Sequence, residues 1–152
     1  MADDEPLIRE IFIDARPEDV FPYLVEADKY LTWMGVSAEL DPRPGGIFQV
    51  DPNGRDVILG QFLEVDPPRR VVFTWGWKDP AHPVPAGSTR VEIELRPQGS
   101  GTLLRLTHTG LAGPVRERHA GGWTHYLGRL KLVMSSKNPG PDPYATPDHR
   151  HG

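Results

Sequence analysis

Gly101-Thr-Leu-Leu-Arg-Leu-Thr-His108 leads through a turn into the run from Val115 to about Ser136, which carries His119-Ala-Gly-Gly-Trp123 near its start. The first stretch alternates as a strand does, so Leu104, Leu106 and His108 share an apolar face while Arg105, Thr107 and Thr109 point the other way. In the second, Val115, His119, Trp123, Leu127, Leu130 and Met134 recur at three- and four-residue spacing and form one stripe of a long helix. A strand with one apolar face and a helix with one apolar stripe cover each other. Two histidines and a tryptophan then face the same interior, which is how a binding cavity would be furnished.

Working outward, the rest of the chain supplies the sheet that such a helix needs. Leu7 to Ile13 reads as a strand, and Pro17, Glu18 and Asp19 open a short helix with Val20, Phe21 and Leu24 inward and Pro22 limiting or kinking it. A second helical piece is expected over Ala27 to Trp33. Further strands are expected at about Val36 to Leu40, Gly46 to Asp51, Asp56 to Val65, Arg70 to Lys78, Ser88 to Pro97 and Thr102 to Thr109. Pro42-Arg-Pro-Gly-Gly46, Pro52-Asn-Gly54, Asp66-Pro-Pro68, the Pro80 to Gly87 loop and Gln98-Gly-Ser-Gly101 separate them with turn chemistry. Val71, Phe73, Trp75 and Trp77 alternate with Val72, Thr74 and Gly76, and Val91, Ile93 and Leu95 with Arg90, Glu92 and Glu94, so one side of an antiparallel meander is apolar and the other charged. The fold class is α+β: a curved antiparallel sheet around a long C-terminal helix, with short helices after the first strand. Residues 1–137 form one domain, and Asn138 to Gly152, with four prolines and no apolar periodicity, is expected to be a flexible tail.

Composition narrows the function. A chain of 152 residues with a formal charge of -4 and no long basic run has no attraction for phosphate backbones, so nucleic acid is not expected as a partner. With no cysteines, thiolate nucleophiles, disulfides and cysteine zinc sites are excluded together. The start, Met1-Ala-Asp-Asp-Glu-Pro6, is acidic where a signal peptide would be basic, and no apolar run approaches the roughly eighteen residues that span a bilayer. A cytoplasmic protein without membrane or cofactor is the expectation.

Ile13-Asp-Ala-Arg-Pro-Glu-Asp-Val-Phe21, Trp33 before a strand, Arg43-Pro-Gly-Gly-Ile-Phe48, the run from Gly60 to Arg70, Phe73-Thr-Trp75 and His119-Ala-Gly-Gly-Trp123 follow one another in an order that resembles one family. It is similar to the bacterial relatives of the C-terminal domain of the activator of the Hsp90 ATPase, within the START-like superfamily, also called Bet v 1-like, polyketide-cyclase-like or SRPBCC. The resemblance spans about Leu7 to Ser136 and implies a helix-grip fold, whose tunnel between sheet and helix takes lipids, hormones, polyketides or aromatic molecules in different members. Some members are enzymes and others carry or sense ligands, so fold alone does not set function.

The candidate ligand-binding residues are Trp33, Phe73, Trp75, Trp77, His108, His119, Trp123 and Leu127. Each aromatic side chain could equally be core packing, yet four tryptophans in so small a domain favour contact with an aromatic ligand. His108 and His119, neutral when buried, would offer one donor and one acceptor each to a carbonyl, hydroxyl or carboxylic acid. The alternative is that they bond each other or nearby backbone and tie the last strand to the helix start. Two imidazoles with no third ligand at recognisable spacing do not make a metal site. His125 lies about 200° round the helix from Trp123 and reads as an outer-face residue. Gly121 and Gly122 cost a helix about 1 kcal/mol each, so close approach to the sheet or room for a ligand should explain them. No residue has a nucleophile-base-orienter setting, and no catalytic residue is assigned. The favoured function is binding of a small, largely hydrophobic or aromatic molecule. The alternatives are a cyclase or hydratase with a cavity histidine as general base, and an Hsp90-type co-chaperone; a homodimer is compatible with all three.

Overall fold

The first and last strands of the chain meet. β1 (Leu7–Ile13) runs antiparallel to the strand Gly101–Thr109 along its whole length, with Leu7 opposite His108 and Ile13 opposite Thr102. This computed structural model describes residues 6–79, 81–111 and 113–135, so the tail from Asn138 and the domain boundary at residue 137 lie outside the described residues.

After β1 come three single-turn helices, α1 (Pro17–Val20), α2 (Pro22–Val25) and α3 (Ala27–Tyr30). Pro22 interrupts the first as expected: α1 stops at Val20 and a new turn starts at the proline, which tolerates a first helical position because it needs no amide hydrogen there. Six strands follow, β2 (Ser37–Leu40), β3 (Ile47–Asp51), β4 (Ile58–Asp66), β5 (Arg70–Trp75), β6 (Thr89–Gln98) and β7 (Gly101–Thr109), and then the helix α4 (Gly113–Met134). The seven strands form one antiparallel sheet in the order β1-β7-β6-β5-β4-β3-β2. An extra residue, Leu63, bulges β4 between the pairs Phe62–Phe73 and Glu64–Val72, and such a bulge bends a strand and raises its twist. The sheet curves around α4, as anticipated.

The concave face holds the core. Val91, Ile93 and Leu95 of β6 and Leu104 and Leu106 of β7 are buried, and Phe48, Phe62 and Phe73 form an aromatic cluster in which Phe48 and Phe73 stack at 4.1 Å between ring centroids. Each such side chain contributes on the order of 1.5–3 kcal/mol by leaving water. α4 buries Ala120, Trp123, Tyr126, Leu127 and Leu130 against this face. Arg9 Nε on β1 donates to Thr124 Oγ1 at 3.1 Å, and Arg129 Nε donates to the carbonyl of Trp33 at 3.1 Å, which fixes the helix from two sides.

The structure differs from the sequence expectation at four places. β5 ends at Trp75 rather than Lys78, because the loop after it folds back: the Trp77 amide donates to the Val84 carbonyl at 2.7 Å, and Trp77 pairs only as an isolated bridge with Ile58 and Pro85. β4 begins at Ile58 rather than Asp56, since the Asn53 side chain accepts the amides of Arg55 and Asp56 at 3.0 and 2.9 Å and holds that segment as a turn. Val72, expected on the solvent side, is buried; it lies opposite Glu64 and Glu92, and the Arg70 guanidinium reaches both their carboxylates, at 3.2 and 2.8 Å. On α4, Val115, His119 and Met134 are only half-buried, while Ala120 and Tyr126 are buried; His119 borders an opening beside the start of the helix, and Met134 is the helix's last residue.

Candidate functional site

That opening is a cavity of about 530 Å³. β5 supplies Trp75 to its wall and the segment just beyond supplies Trp77; α4 supplies Arg118, His119, Gly122, Trp123 and Tyr126; the loop between β5 and β6 supplies His82 and Pro83. Met34, Pro52, Asn53 and Ile58 complete it. Trp75 sits between the other two indoles, with ring centroids 4.9 Å from Trp123 and 6.5 Å from Trp77. His82 stacks on Trp77 at 4.7 Å with planes 25° apart.

Of the eight candidates, Trp75, Trp77, His119 and Trp123 line this space. The other four stand behind it. Trp33 is buried against Tyr30 at 4.7 Å and donates its indole hydrogen to the Tyr23 carbonyl at 2.9 Å; Phe73 belongs to the phenylalanine cluster; Leu127 packs in the core. His108 is completely buried and each of its nitrogens is engaged.

The partners of His108 settle its tautomer. Trp123 Nε1–H donates to Nδ1 at 3.0 Å, so the ring hydrogen is on Nε2, 2.8 Å from Thr89 Oγ1, and the threonine hydroxyl then donates to the Trp75 carbonyl at 2.8 Å. Helix, β7, β6 and β5 are thereby joined by one chain of satisfied neutral groups. Burial, helped by the neighbouring His119, pushes the His108 pKa down to about 3, so the network stays neutral throughout the physiological range.

His119 is held differently. Its Nδ1–H donates to the Val115 carbonyl one turn earlier at 2.9 Å, leaving Nε2 to accept from Trp77 Nε1–H at 3.3 Å. Burial lowers its pKa; the bond to Val115 opposes that and the nearby His82 and Arg118 add to it. His82 is lowered as well, by burial first. The two histidines therefore do not bond each other, although their ring centroids are 5.8 Å apart, and the sequence reading missed the third, His82, at 6.5 Å from His119. Three imidazoles approach one another, yet among the described residues no His, Cys, Asp or Glu group has the arrangement to hold a metal ion. His125, placed on the outer face by the helix count, is half-buried with its ring 4.8 Å from Tyr126.

Close packing does not explain the helix glycines. A Cβ at Gly121 or Gly122 would meet nothing within 4 Å, and Gly122 lines the cavity. Gly122 leaves room at the cavity, whereas Gly121 is exposed and nothing around it calls for a glycine. Gly121→Ala is accordingly expected to raise stability by about 1 kcal/mol, read from chemical unfolding, since it improves helix propensity without displacing anything. A loss of stability would mean that the start of α4 packs more tightly than described.

An antiparallel sheet gripping a C-terminal helix, with an aromatic cavity at the helix start, defines a helix-grip protein. The model of the activator of Hsp90 ATPase homolog 1-like proteins matches residues 14–135, and the chain belongs to that family. Similar solved structures include an AHSA1-like protein from Rhizobium etli, 43% identical over 93% of this chain and 89% of that one, with a TM-score of 0.74. CalU16 from Micromonospora echinospora is 26% identical over 90% of this chain and 77% of its own, with a TM-score of 0.73. The Aha1 dimer from Colwellia psychrerythraea has the same fold at 18% identity, covering 91% of this chain and 99% of that one, with a TM-score of 0.74. No curated protein matches. Among the described residues no helix is long and apolar enough to cross a membrane.

Proposed function

We propose that this protein binds a small, largely aromatic or hydrophobic molecule in the cavity beside the start of α4. The observation that carries this reading is the wall itself: three indoles, Trp75, Trp77 and Trp123, converge with Met34, Ile58 and Tyr126 on one space of about 530 Å³. That volume lies inside the range of about 300–1,000 Å³ typical of small-molecule sites, and large rigid aromatic walls bind flat ligands at little entropic cost. Binding is favoured over acid-base catalysis because no carboxylate stands among the described lining residues to orient a histidine base, and both His119 nitrogens and His82 Nδ1 already have partners.

Titration with 1-naphthol and 4-phenylphenol tests this. Binding should alter tryptophan emission and shift the indole N–H resonances of Trp75, Trp77 and Trp123 while leaving that of Trp33, which points to the Tyr23 carbonyl, nearly still. Ligands that bind but shift only Trp33 or backbone amides on the convex face of the sheet would place the site elsewhere.

A further inference from the structure

The residues that α4 gives to the cavity fall in two rows along the helix: His119 and Trp123 are four apart, and so are Arg118, Gly122 and Tyr126. Residues four apart lie one above the other on a helix face, so each row is a ridge. The second ridge runs from outside to inside, since Arg118 is exposed, Gly122 half-buried and Tyr126 buried. Gly122 therefore stands where the helix passes from the mouth of the cavity to its interior, and there the ridge has no side chain.

The gap is open space. A Cβ at Gly122 would meet no described atom within 4 Å, so neither the sheet nor the side chains of Arg118 and Tyr126 close over it. Gly121 is equally free of neighbours, yet it is exposed and lies off the wall, so what singles out Gly122 is its place and not its being a glycine. Because Cα–Cβ bonds of a helix lean toward its N-terminus, any side chain at position 122 would project toward Arg118 and narrow the mouth. Trp123 beside it is buried, packs 4.9 Å from Trp75 between ring centroids and donates to His108, so the wall there cannot draw back to compensate.

We propose, resting on the binding function above, that Gly122 is the threshold of the cavity and determines the width of the ring system it admits. The flat face of the ligand passes over the bare backbone of α4 at this position and rests on it, between Arg118 at the mouth and Tyr126 inside.

Two probes with one hydroxyl each, 1-naphthol and the wider 1-hydroxypyrene, separate width from polar chemistry. In fluorescence titrations the wild-type protein should bind 1-hydroxypyrene the more tightly, because it buries more apolar area. Gly122→Ala should weaken 1-hydroxypyrene roughly tenfold and 1-naphthol by less than about twofold, as one added carbon in a rigid pocket excludes what already fills it. Gly122→Leu should abolish binding of 1-hydroxypyrene and weaken 1-naphthol as well. Gly121→Ala and Gly121→Leu should leave both affinities as in the parent. Gly122→Ala should also unfold at a higher denaturant concentration than the parent, as Gly121→Ala does, which separates its loss of affinity from any damage to the fold. An unchanged affinity of Gly122→Ala for 1-hydroxypyrene, an equal loss in Gly121→Ala, a wild-type protein that takes 1-naphthol and rejects 1-hydroxypyrene, or a Gly122→Ala protein less stable than the parent overturns the threshold and leaves the cavity reading in place. Failure of both probes to bind the wild-type protein overturns both.

Discussion

His108→Ala is expected to lower the unfolding free energy by roughly 3–4 kcal/mol while leaving ligand affinity per folded molecule nearly unchanged. The substitution removes the acceptor of Trp123 Nε1–H and the donor to Thr89 Oγ1 in a place with no exposure to solvent, so one buried donor is orphaned and a space the size of an imidazole opens between β7 and α4. The Thr89 hydroxyl keeps its bond to the Trp75 carbonyl, so the damage stays behind the cavity wall. His108→Asn, which keeps an oxygen acceptor near the position of Nδ1, should recover part of the loss. Denaturant unfolding of the three proteins gives the stabilities, and calorimetric titration with an aromatic probe gives the affinities. A loss under 1 kcal/mol together with a large drop in affinity would move His108 from the framework of the site into the site.

The same residue sets an acid limit. His108 has a folded pKa of about 3 against an ordinary value of 6.5, so between these values the unfolded chain carries a proton that the folded one does not. Stability is then full above pH 6.5 and falls as the pH drops, by at most about 1.4 kcal/mol per unit from this group, until it levels near pH 3. At pH 4.5 the contribution amounts to roughly 3 kcal/mol. His119 and His82, both lowered by burial, act in the same direction. In His108→Asn the slope between pH 6.5 and 4.5 should be visibly shallower, and an unchanged slope would mean that other groups govern acid unfolding.

Much of this architecture is legible along the chain because it depends on local periodicity. The alternation from Thr102 to Thr109 and the spacing from Trp123 to Leu130 each bury one side, and the observed β7 and α4 differ from the expected ranges by one or two residues. What the sequence hides is contact between segments that share no period. Gly76 and Pro85 meet because a loop turns back on its own strand, so the end of β5 and the wall position of His82 could not be counted off from alternation. Four tryptophans look alike in sequence, and what separates Trp33 from Trp75, Trp77 and Trp123 is tertiary: its N–H is spent on a carbonyl of the helical segment before β2. For His108 and His119 the inward direction was readable, but their partners were not, and the partners make the first a buried joint and leave the second on the wall. Tyr126 lies one turn beyond Trp123 and fits the same stripe; an apolar-only pattern passed over it.

Gly76→Ala is the other substitution expected to act strongly, with a loss of about 2–3 kcal/mol. A Cβ there would overlap the carbonyl oxygen and carbon of Pro85, backbone atoms that cannot turn aside as a side chain can. The reason is space and not backbone strain, since Gly76 is not among the glycines with positive φ. Around it the Leu59 amide donates to the Gly76 carbonyl at 2.8 Å and the Trp77 amide to Val84 at 2.7 Å, so relieving the overlap means pulling the loop from the sheet. That loop carries His82 and Pro83 to the cavity, and aromatic probes should therefore bind more weakly as well. Gly121→Ala makes the same chemical change, one methyl group, at a position where a Cβ meets nothing, and its expected sign is opposite. Measured side by side in denaturant, the pair holds side-chain chemistry constant and varies only the surroundings. If Gly76→Ala proved as stable as the parent and kept the amide shifts of Val84 and Gly87, the loop would not rest on Gly76, and the outer wall of the cavity would have to be drawn without it.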